Sequence, residues 1–337
     1  MAERLSDKLI EYLQTAIGRD VNLKDIRAFL KIEPGGKDDQ NLRVQMSTTL
    51  ISKKIVKPSG RNDGIYKVLT PIEPVRWWED DINEDPIDFR FPRSYEDESM
   101  FGIEDIVEVF AGDLILITGD TNYGKTAIAL SIMGENLGLM PAVLMGSEYT
   151  AADGKISPKF KRRMKRMSWA KWMNDGKPLF QLLPIGADFE DYIEADHLNF
   201  IDWISLPGEY YLIDRVMKAI KDRVGNGVAV PVLQKNQGQE FAEGGQRSER
   251  YADVVLKIDP YGEGESMLTL GKVKAPKGKA TGRMWAFSIV DFGANLLNIR
   301  EIVKCRKCWG KGYTGSGNNY KRCEGCNGLK YVEKTGV

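Results

Sequence analysis

The sequence predicts an α/β fold: a mostly parallel sheet flanked by helices, preceded by a small helical domain and followed by a short metal-held tail. Three observations carry that expectation. Between residues 101 and 300, short apolar runs (LILIT, AVLM, LNFI, VAVPVLQ, VVLKI, the stretch from Ser266 to Val273, and WAFSIV) alternate with helical stretches, as strands in a helix-covered sheet do. Between the first run and the helix AIALSIM lies GDTNYGKT, a complete G-x-x-x-x-G-K-T loop. All four cysteines fall in two C-x-x-C knuckles near the end of the chain.

Residues 1–70 read as a first domain. Leu5, Ile10, Leu13 and Ile17 mark one helix, and Leu23, Ile26 and Leu30 a second. A third runs from about Gln40 to Ile55, with Leu42, Met46, Leu50 and Ile51 facing inward. VKPSGRNDGIYKVL then reads as strand, turn, strand, because Gly, Asn and Asp tolerate the positive φ of a tight hairpin. Residues 71–100 are rich in proline and acids with little periodicity, which predicts an acidic linker. Trp77 and Trp78 are adjacent there, and two such rings are costly in water, so at least one is expected to be buried by docking.

Lys and Arg total 48, as do Asp and Glu, so net charge selects no partner. Distribution says more: basic from Arg43 to Lys67, acidic from Glu73 to Asp105, and wholly basic from Lys155 to Lys171. No apolar run approaches the roughly 18 residues of a membrane span. The first residues, MAERLSDKLIEYLQTAIG, carry acids where a signal peptide needs an apolar core. No membrane partner is expected, and the expected location is cytoplasmic, where thiols stay reduced unless a metal holds them.

The loop explains its own residue types. Gly119 and Gly124 let the backbone through Asp120, Thr121, Asn122 and Tyr123 curl so that its N–H groups face phosphates. Lys125 reaches the β and γ oxygens, and the Thr126 hydroxyl is offered to Mg²⁺. A nucleoside triphosphate is the expected ligand.

Three short helices and a basic hairpin resemble a winged-helix domain over about one fifth of the chain. In that family the third helix enters the DNA major groove and the hairpin touches phosphates. The resemblance implies that Arg43 and Gln45 approach bases and that Lys53, Lys54, Lys57 and Arg61 approach phosphates. Winged helices also dock proteins, so both partner classes stay open.

FAGDLILITGDTNYGKTAIAL, VLMGSEYT, NFIDWI, VAVPVLQKNQG, GGQRSERYADVVLKI and GKVKAPKGKATG follow one another in an order that resembles the RecA-like ATPase fold. More narrowly, they are similar to the ATPase domain of DnaB-type ring helicases, over about two thirds of the chain. The resemblance implies ATP with Mg²⁺ as cofactors. It makes Glu148 the carboxylate that activates the attacking water, Asp202 the aspartate that holds Mg²⁺, and Gln234 the sensor of the γ-phosphate. The loop after Gln234, with Lys235, Arg247 and Arg250, would follow a single DNA strand. Lys272 and Lys274 would reach a neighbouring subunit's nucleotide. The chain departs from the family at Asn199, which interrupts the strand of Asp202, and at position 274, where lysine replaces the usual arginine. Arg250 and Arg283 are alternative donors. SPKFKRRMKRMSWAKWM reads as a surface helix with Phe160, Met164, Met167 and Trp172 inward. His197, the only histidine, reads as structural.

Cys305, Cys308, Cys323 and Cys326 offer four thiolates to a tetrahedral Zn²⁺, in a tail too small to fold alone; a redox dithiol pair is the alternative. CxxCWGKG and CxxCNG resemble the cysteine-rich repeats of DnaJ-type chaperones over about thirty residues. Lys304, Arg306, Lys307, Lys321 and Arg322 surround the knuckles, which suits nucleic acid or a docking protein. The expected organisation is a winged-helix domain (1–70), acidic linker (71–100), RecA/DnaB-like ATPase domain (101–300) and zinc-ribbon tail (301–337). The expected activity is an ATP-driven motor on DNA, translocating along or unwinding single strands in replication or recombination, as a homo-oligomeric ring or filament. The compact modular arrangement resembles bacteriophage replication proteins. Two rivals use the same residues: a recombinase-like strand-pairing ATPase, and an ATP-switched, DNA-binding helicase loader or regulator.

Overall fold

The computed structural model describes residues 4–60, 64–71, 85–151, 154–236, 238–315 and 319–334. By internal contacts the chain divides into Met1–Asn83 and Glu84–Val337. The first unit runs α1 (Leu5–Gln14), β1 (Asp20–Asn22), α2 (Leu23–Leu30), α3 (Lys37–Val44), α4 (Leu50–Ser52), β2 (Val56–Pro58) and β3 (Ile65–Val68). A π-turn, Gln45–Thr49, joins α3 to α4. Asn22 caps α2 by accepting the Asp25 N–H at 2.8 Å. The strands pair antiparallel in the order β1-β3-β2. Leu9 and Leu13, one turn apart, enter the core with Ile26, Leu42, Met46 and Leu50. The register of α1 therefore differs from the expected one: Ile10 is only partly buried, and Ile17 lies past the helix, 42% exposed. Arg61, Trp77 and Trp78 lie outside the described residues.

In the second unit β4 (Ile115–Gly119) leads into α5 (Lys125–Asn136), β5 (Ala142–Met145) and α6 (Pro158–Arg166). A minimal hairpin of β6 (Met173–Asn174) and β7 (Lys177–Pro178) precedes β8 (Phe180–Leu183), β9 (Leu198–Ile204), α7 (Ile213–Arg223) and β10 (Val228–Gln234). There follow β11 (Val254–Tyr261), β12 (Glu265–Val273), β13 (Met284–Val290), β14 (Asn295–Lys304), the hairpin of β15 (Tyr313–Thr314) and β16 (Lys321–Arg322), and β17 (Tyr331–Glu333).

Ten strands form one sheet, ordered β17-β14-β13-β12-β11-β4-β10-β9-β5-β8. From β8 to β11 every pairing is parallel; from β11 to β17 every pairing is antiparallel. The parallel half thus delivers the C-terminal ends of β4, β5, β9 and β10 to one edge, where ligands bind in open α/β sheets. Alternation along β4 sends Ile115 and Ile117 to one face, with Ile128, Ile132 and Met133 of α5. It sends Leu114 and Leu116 to the other, with Ile213, Met217 and Ile220 of α7. Helices cover both faces, and the fold is α/β with the parallel half of its sheet enclosed.

Two stretches are built into the second unit. Residues 85–100, within the stretch expected to be a linker partly ordered by docking, pack closely: Phe89 and Phe91 are buried in the main core, and the Asn136 amide bonds both Arg90 N–H and Arg90 carbonyl, at 2.9 and 2.8 Å. Tyr95 stacks on Trp169 at 4.6 Å. Aromatic rings spaced for a strand outweigh the surrounding acids. The tail, too, is not a free appendage, because β17 pairs with β14, with Val303 opposite Val332 and Lys304 opposite Tyr331. The cysteine knuckles are thereby a loop between two strands of the main sheet.

Candidate nucleotide site and cysteine cluster

The loop between β4 and α5 is shaped by two glycines. A Cβ at Gly119 would collide with the Ile258 carbonyl, and one at Gly124, where φ is +99°, with the Ile289 side chain. Ser266, buried on β12, donates its hydroxyl to the Tyr123 carbonyl at 2.9 Å and pins the loop from the antiparallel half of the sheet. Lys125 Nζ donates to the Asp120 carbonyl at 2.9 Å. Burial pushes its pKa down, while the carboxylates of Asp202 and Asp120 pull it up. A partly desolvated ammonium at a helix N-terminus is a strong anion site.

Asp202, near the end of β9, is 5% exposed. The Tyr149 hydroxyl donates to its Oδ2 at 2.5 Å, and the Thr126 side chain helps to keep the same carboxyl ionised. Burial raises the Asp202 pKa; Tyr149, Thr126 and the charges of Lys125 and Arg163 oppose it. Asn199, which interrupts the apolar run, is explained by the turn before the strand: its Oδ1 accepts Glu194 N–H at 3.0 Å, and its amide donates to the carbonyls of Glu194 and His197. His197 Nδ1 lies 2.7 Å from the Ala195 carbonyl.

Glu148 is exposed in the single turn Ser147–Tyr149 that follows β5. A Cβ at Gly146 would collide with the Asp202 carbonyl, so glycine lets this turn close onto the end of β9. Gln234 ends β10 opposite Gly119. Loop, Lys125, Thr126, Glu148, Asp202 and Gln234 therefore converge on one sheet edge. An exposed carboxylate beside a buried one, facing a backbone anion cradle, can bind a polyphosphate with a divalent cation and deprotonate a water. Thr126 and Asp202 are oxygen ligands suited to Mg²⁺.

Lys235, expected in the loop that would follow DNA, is buried instead of exposed: it is 6% exposed, ion-pairs with Asp259, and lies 3.7 Å from Asp120 Oδ1, so carboxylates on β11 and in the phosphate loop draw it inward. Arg247 and Arg250 are exposed, the latter 2.6 Å from Asp214. With Lys272 they line a cavity of about 290 Å³. Lys272 faces Val255, which pairs with Leu116 near the start of β4, so it sits at the end of the sheet opposite the loop. Its Nζ donates to the carbonyls of Glu249 and Arg250 at 2.9 and 3.1 Å; burial, then Lys274, pushes its pKa down. Lys274 ion-pairs with Asp253 at 2.7 Å, and Arg283 is held in a fork by Glu301. Sequence reasoning missed Tyr149, Ser266 and Arg163, whose Nε donates to the Phe292 carbonyl at 3.0 Å. Tyr149 stood next to Glu148 in SEYT; Ser266 and Arg163 left no local signal.

In the first unit Arg43 is 61% exposed and 3.5 Å from Asp39, which Arg27 and the Gly35 N–H also hold. Those bonds, Gly35 first, keep the Asp39 pKa low. Gln45 is half-buried, and Lys53, Lys54 and Lys57 are exposed.

All four cysteines are buried with their Sγ atoms within 4.8 Å of one another. Cys305 and Cys323 lie 3.9 Å apart, Cys308 and Cys326 3.6 Å, and the Gly312 N–H donates to Cys308 Sγ at 3.3 Å. Four convergent sulfurs with a backbone donor fit a tetrahedral zinc centre, whereas a disulfide needs S–S near 2.05 Å. Burial opposes ionisation of Cys308, but the Gly312 N–H and the other thiols lower its pKa to about 6.

No family model matches the sequence, and no curated protein sequence matches it. Among solved structures, a KaiC-like protein from the hyperthermophilic archaeon Pyrococcus horikoshii OT3 is similar at 18% identity over 63% of this chain and 99% of that one, with a TM-score of 0.46. A RadB recombinase is similar at 19% identity over 56% of this chain and 92% of that one, with a TM-score of 0.40. No described helix is long and apolar enough to cross a membrane.

Proposed function

We propose that this chain is an ATP-hydrolysing, RecA-like motor that translocates along or unwinds single-stranded DNA in replication or recombination, of the kind found in DnaB-type helicases. The observation that carries this reading is the buried Asp202 carboxyl, held by the Tyr149 hydroxyl and facing the charge of Lys125, at the same end of the sheet as the phosphate loop. Residues 119–126 hold the triphosphate, and Thr126 and Asp202 hold Mg²⁺, which neutralises charge on the phosphates. Glu148 accepts the proton of the attacking water, and Gln234 donates its amide to the γ-phosphate. Arg247 and Arg250 follow the DNA strand. Lys272 and Lys274, remote from the loop of their own chain, act on a neighbour's nucleotide in a homo-oligomer. The first unit acts as a winged helix that touches duplex DNA through Arg43 and Lys54, and the four cysteines hold Zn²⁺.

A second reading, an ATP-switched loader or regulator, is favoured by one observation: Lys272 and Lys274 are both engaged within their own chain. ATP turnover, strand displacement and electron micrographs with a non-hydrolysable ATP analogue separate the readings. Turnover stimulated by single-stranded DNA, with closed rings and displacement, supports the motor; filaments support a recombinase, and monomers without displacement support the switch. A protein that neither binds nor hydrolyses ATP overturns all three.

A further inference from the structure

We propose that the cysteine tail carries a base-stacking platform for single-stranded nucleic acid, formed by Trp309, Tyr313 and Tyr320; this rests on the nucleic-acid reading above and names the surface. Trp309 is 79% exposed, Tyr320 60% and Tyr313 44%. Aromatic rings of this size normally bury most of their area, and the centre of the tail, filled by sulfur, has no apolar space for them. Their outward placement is ordered. Tyr313 and Tyr320 meet edge to face at 4.8 Å. Tyr313 lies opposite Arg322 in the β15–β16 hairpin, and Tyr320 precedes Arg322 by two residues, so all three share one face. Arg322 is fixed by donating Nε to the Asn327 carbonyl at 2.7 Å. Trp309 projects from the first knuckle with φ +54°, directly after Cys308.

Charge selects the occupant. From Cys305 to Cys323 the sequence contains no acidic residue, while Arg306, Lys307, Lys311, Lys321 and Arg322 lie within it. The acid that follows, Glu324, is already paired with Lys307 at 2.9 Å. Exposed rings among Arg306, Lys311, Lys321 and Arg322 fit a polyanion whose bases are free to stack, which is a single strand and not a duplex. An apolar peptide would use the rings and leave the cations idle.

The test uses the full-length, zinc-loaded protein and oligothymidylate carrying 5-iodouracil. Irradiation should crosslink the oligonucleotide to Trp309, Tyr313 or Tyr320, as read by peptide mapping. Trp309→Ala with Tyr320→Ala should lower affinity for oligothymidylate at least about fivefold, and leave affinity for an abasic oligonucleotide unchanged. Retained zinc shows that the tail of the variant is folded, and Trp309→Phe should restore most of the affinity. Crosslinks confined to residues before Cys305, or equal losses on both oligonucleotides, overturn the platform, as does a variant that loses only a protein partner. ATP turnover without DNA reports separately on the motor reading, which survives if the platform fails.

Discussion

The hydroxyl of Tyr149 ties the turn that bears Glu148 to the carboxylate at the end of β9. Tyr149→Phe keeps the ring, which packs on Phe160 at 4.5 Å, and removes only the donor. A hydrogen bond to a charged group contributes about 1.5–3 kcal/mol, so the variant should need about tenfold more Mg²⁺ for half-maximal turnover, read from a Mg²⁺ titration. Lys125→Ala and Glu148→Gln should both lose turnover by a factor of about a hundred or more, for different reasons. The first should lose nucleotide affinity, and the second should bind ATP and stall. Equilibrium binding measured beside turnover distinguishes them, and near-normal hydrolysis by Glu148→Gln would remove that residue from the mechanism.

At the scale of elements, the stretch 85–107 is held by side chains that its acidic wording conceals. Glu135 on α5 accepts the Tyr95 hydroxyl at 2.9 Å, with Arg93 at 3.7 Å. Burial raises the pKa of Glu135, and likewise that of Glu104. An acid with a raised folded pKa binds more protons folded than unfolded, so stability falls as pH rises from the ordinary carboxylate range through the raised value. Glu135→Gln, which can still accept from Tyr95, should flatten that slope and melt later at neutral pH, as thermal unfolding across a pH series would show. The strands β4, β5, β10 and β11 are legible because each holds a run of apolar residues bounded by glycine or polar residues, and GDTNYGKT places the loop. Illegible elements share a cause. β8, β14 and the Phe89–Phe91 stretch mix polar and apolar residues, and their structure is set by partners distant in sequence. Lys235 reads as a loop cation until Asp259, on another strand, draws it inward. Tertiary context decides such positions, and the sequence around them carries no trace of it.

For the whole molecule, two further outcomes are expected. If Lys272 and Lys274 complete a neighbour's site, turnover per chain should rise with protein concentration, and the double alanine variant should suppress mixtures with the unaltered protein. A constant rate per chain in a monomeric protein would end that assignment. Metal analysis should give one Zn²⁺ per chain, and chelation should melt residues 305–330 while ATP binding persists, as hydrogen exchange and nucleotide titration would record. The knuckles sit between β14 and β17, and this gives the metal a second consequence. With the tail unfolded, β17 loses the anchor that holds Val332 against Val303, and the last three residues of β14, Ile302 to Lys304, lose their cover, leaving β14 as an open border along its whole length. Bare borders of that kind recruit copies of themselves. Zinc would then act as a guard on solubility, and metal-stripped protein should self-associate through β14, visible as light scattering that grows with concentration and is suppressed by a charged residue at Val303.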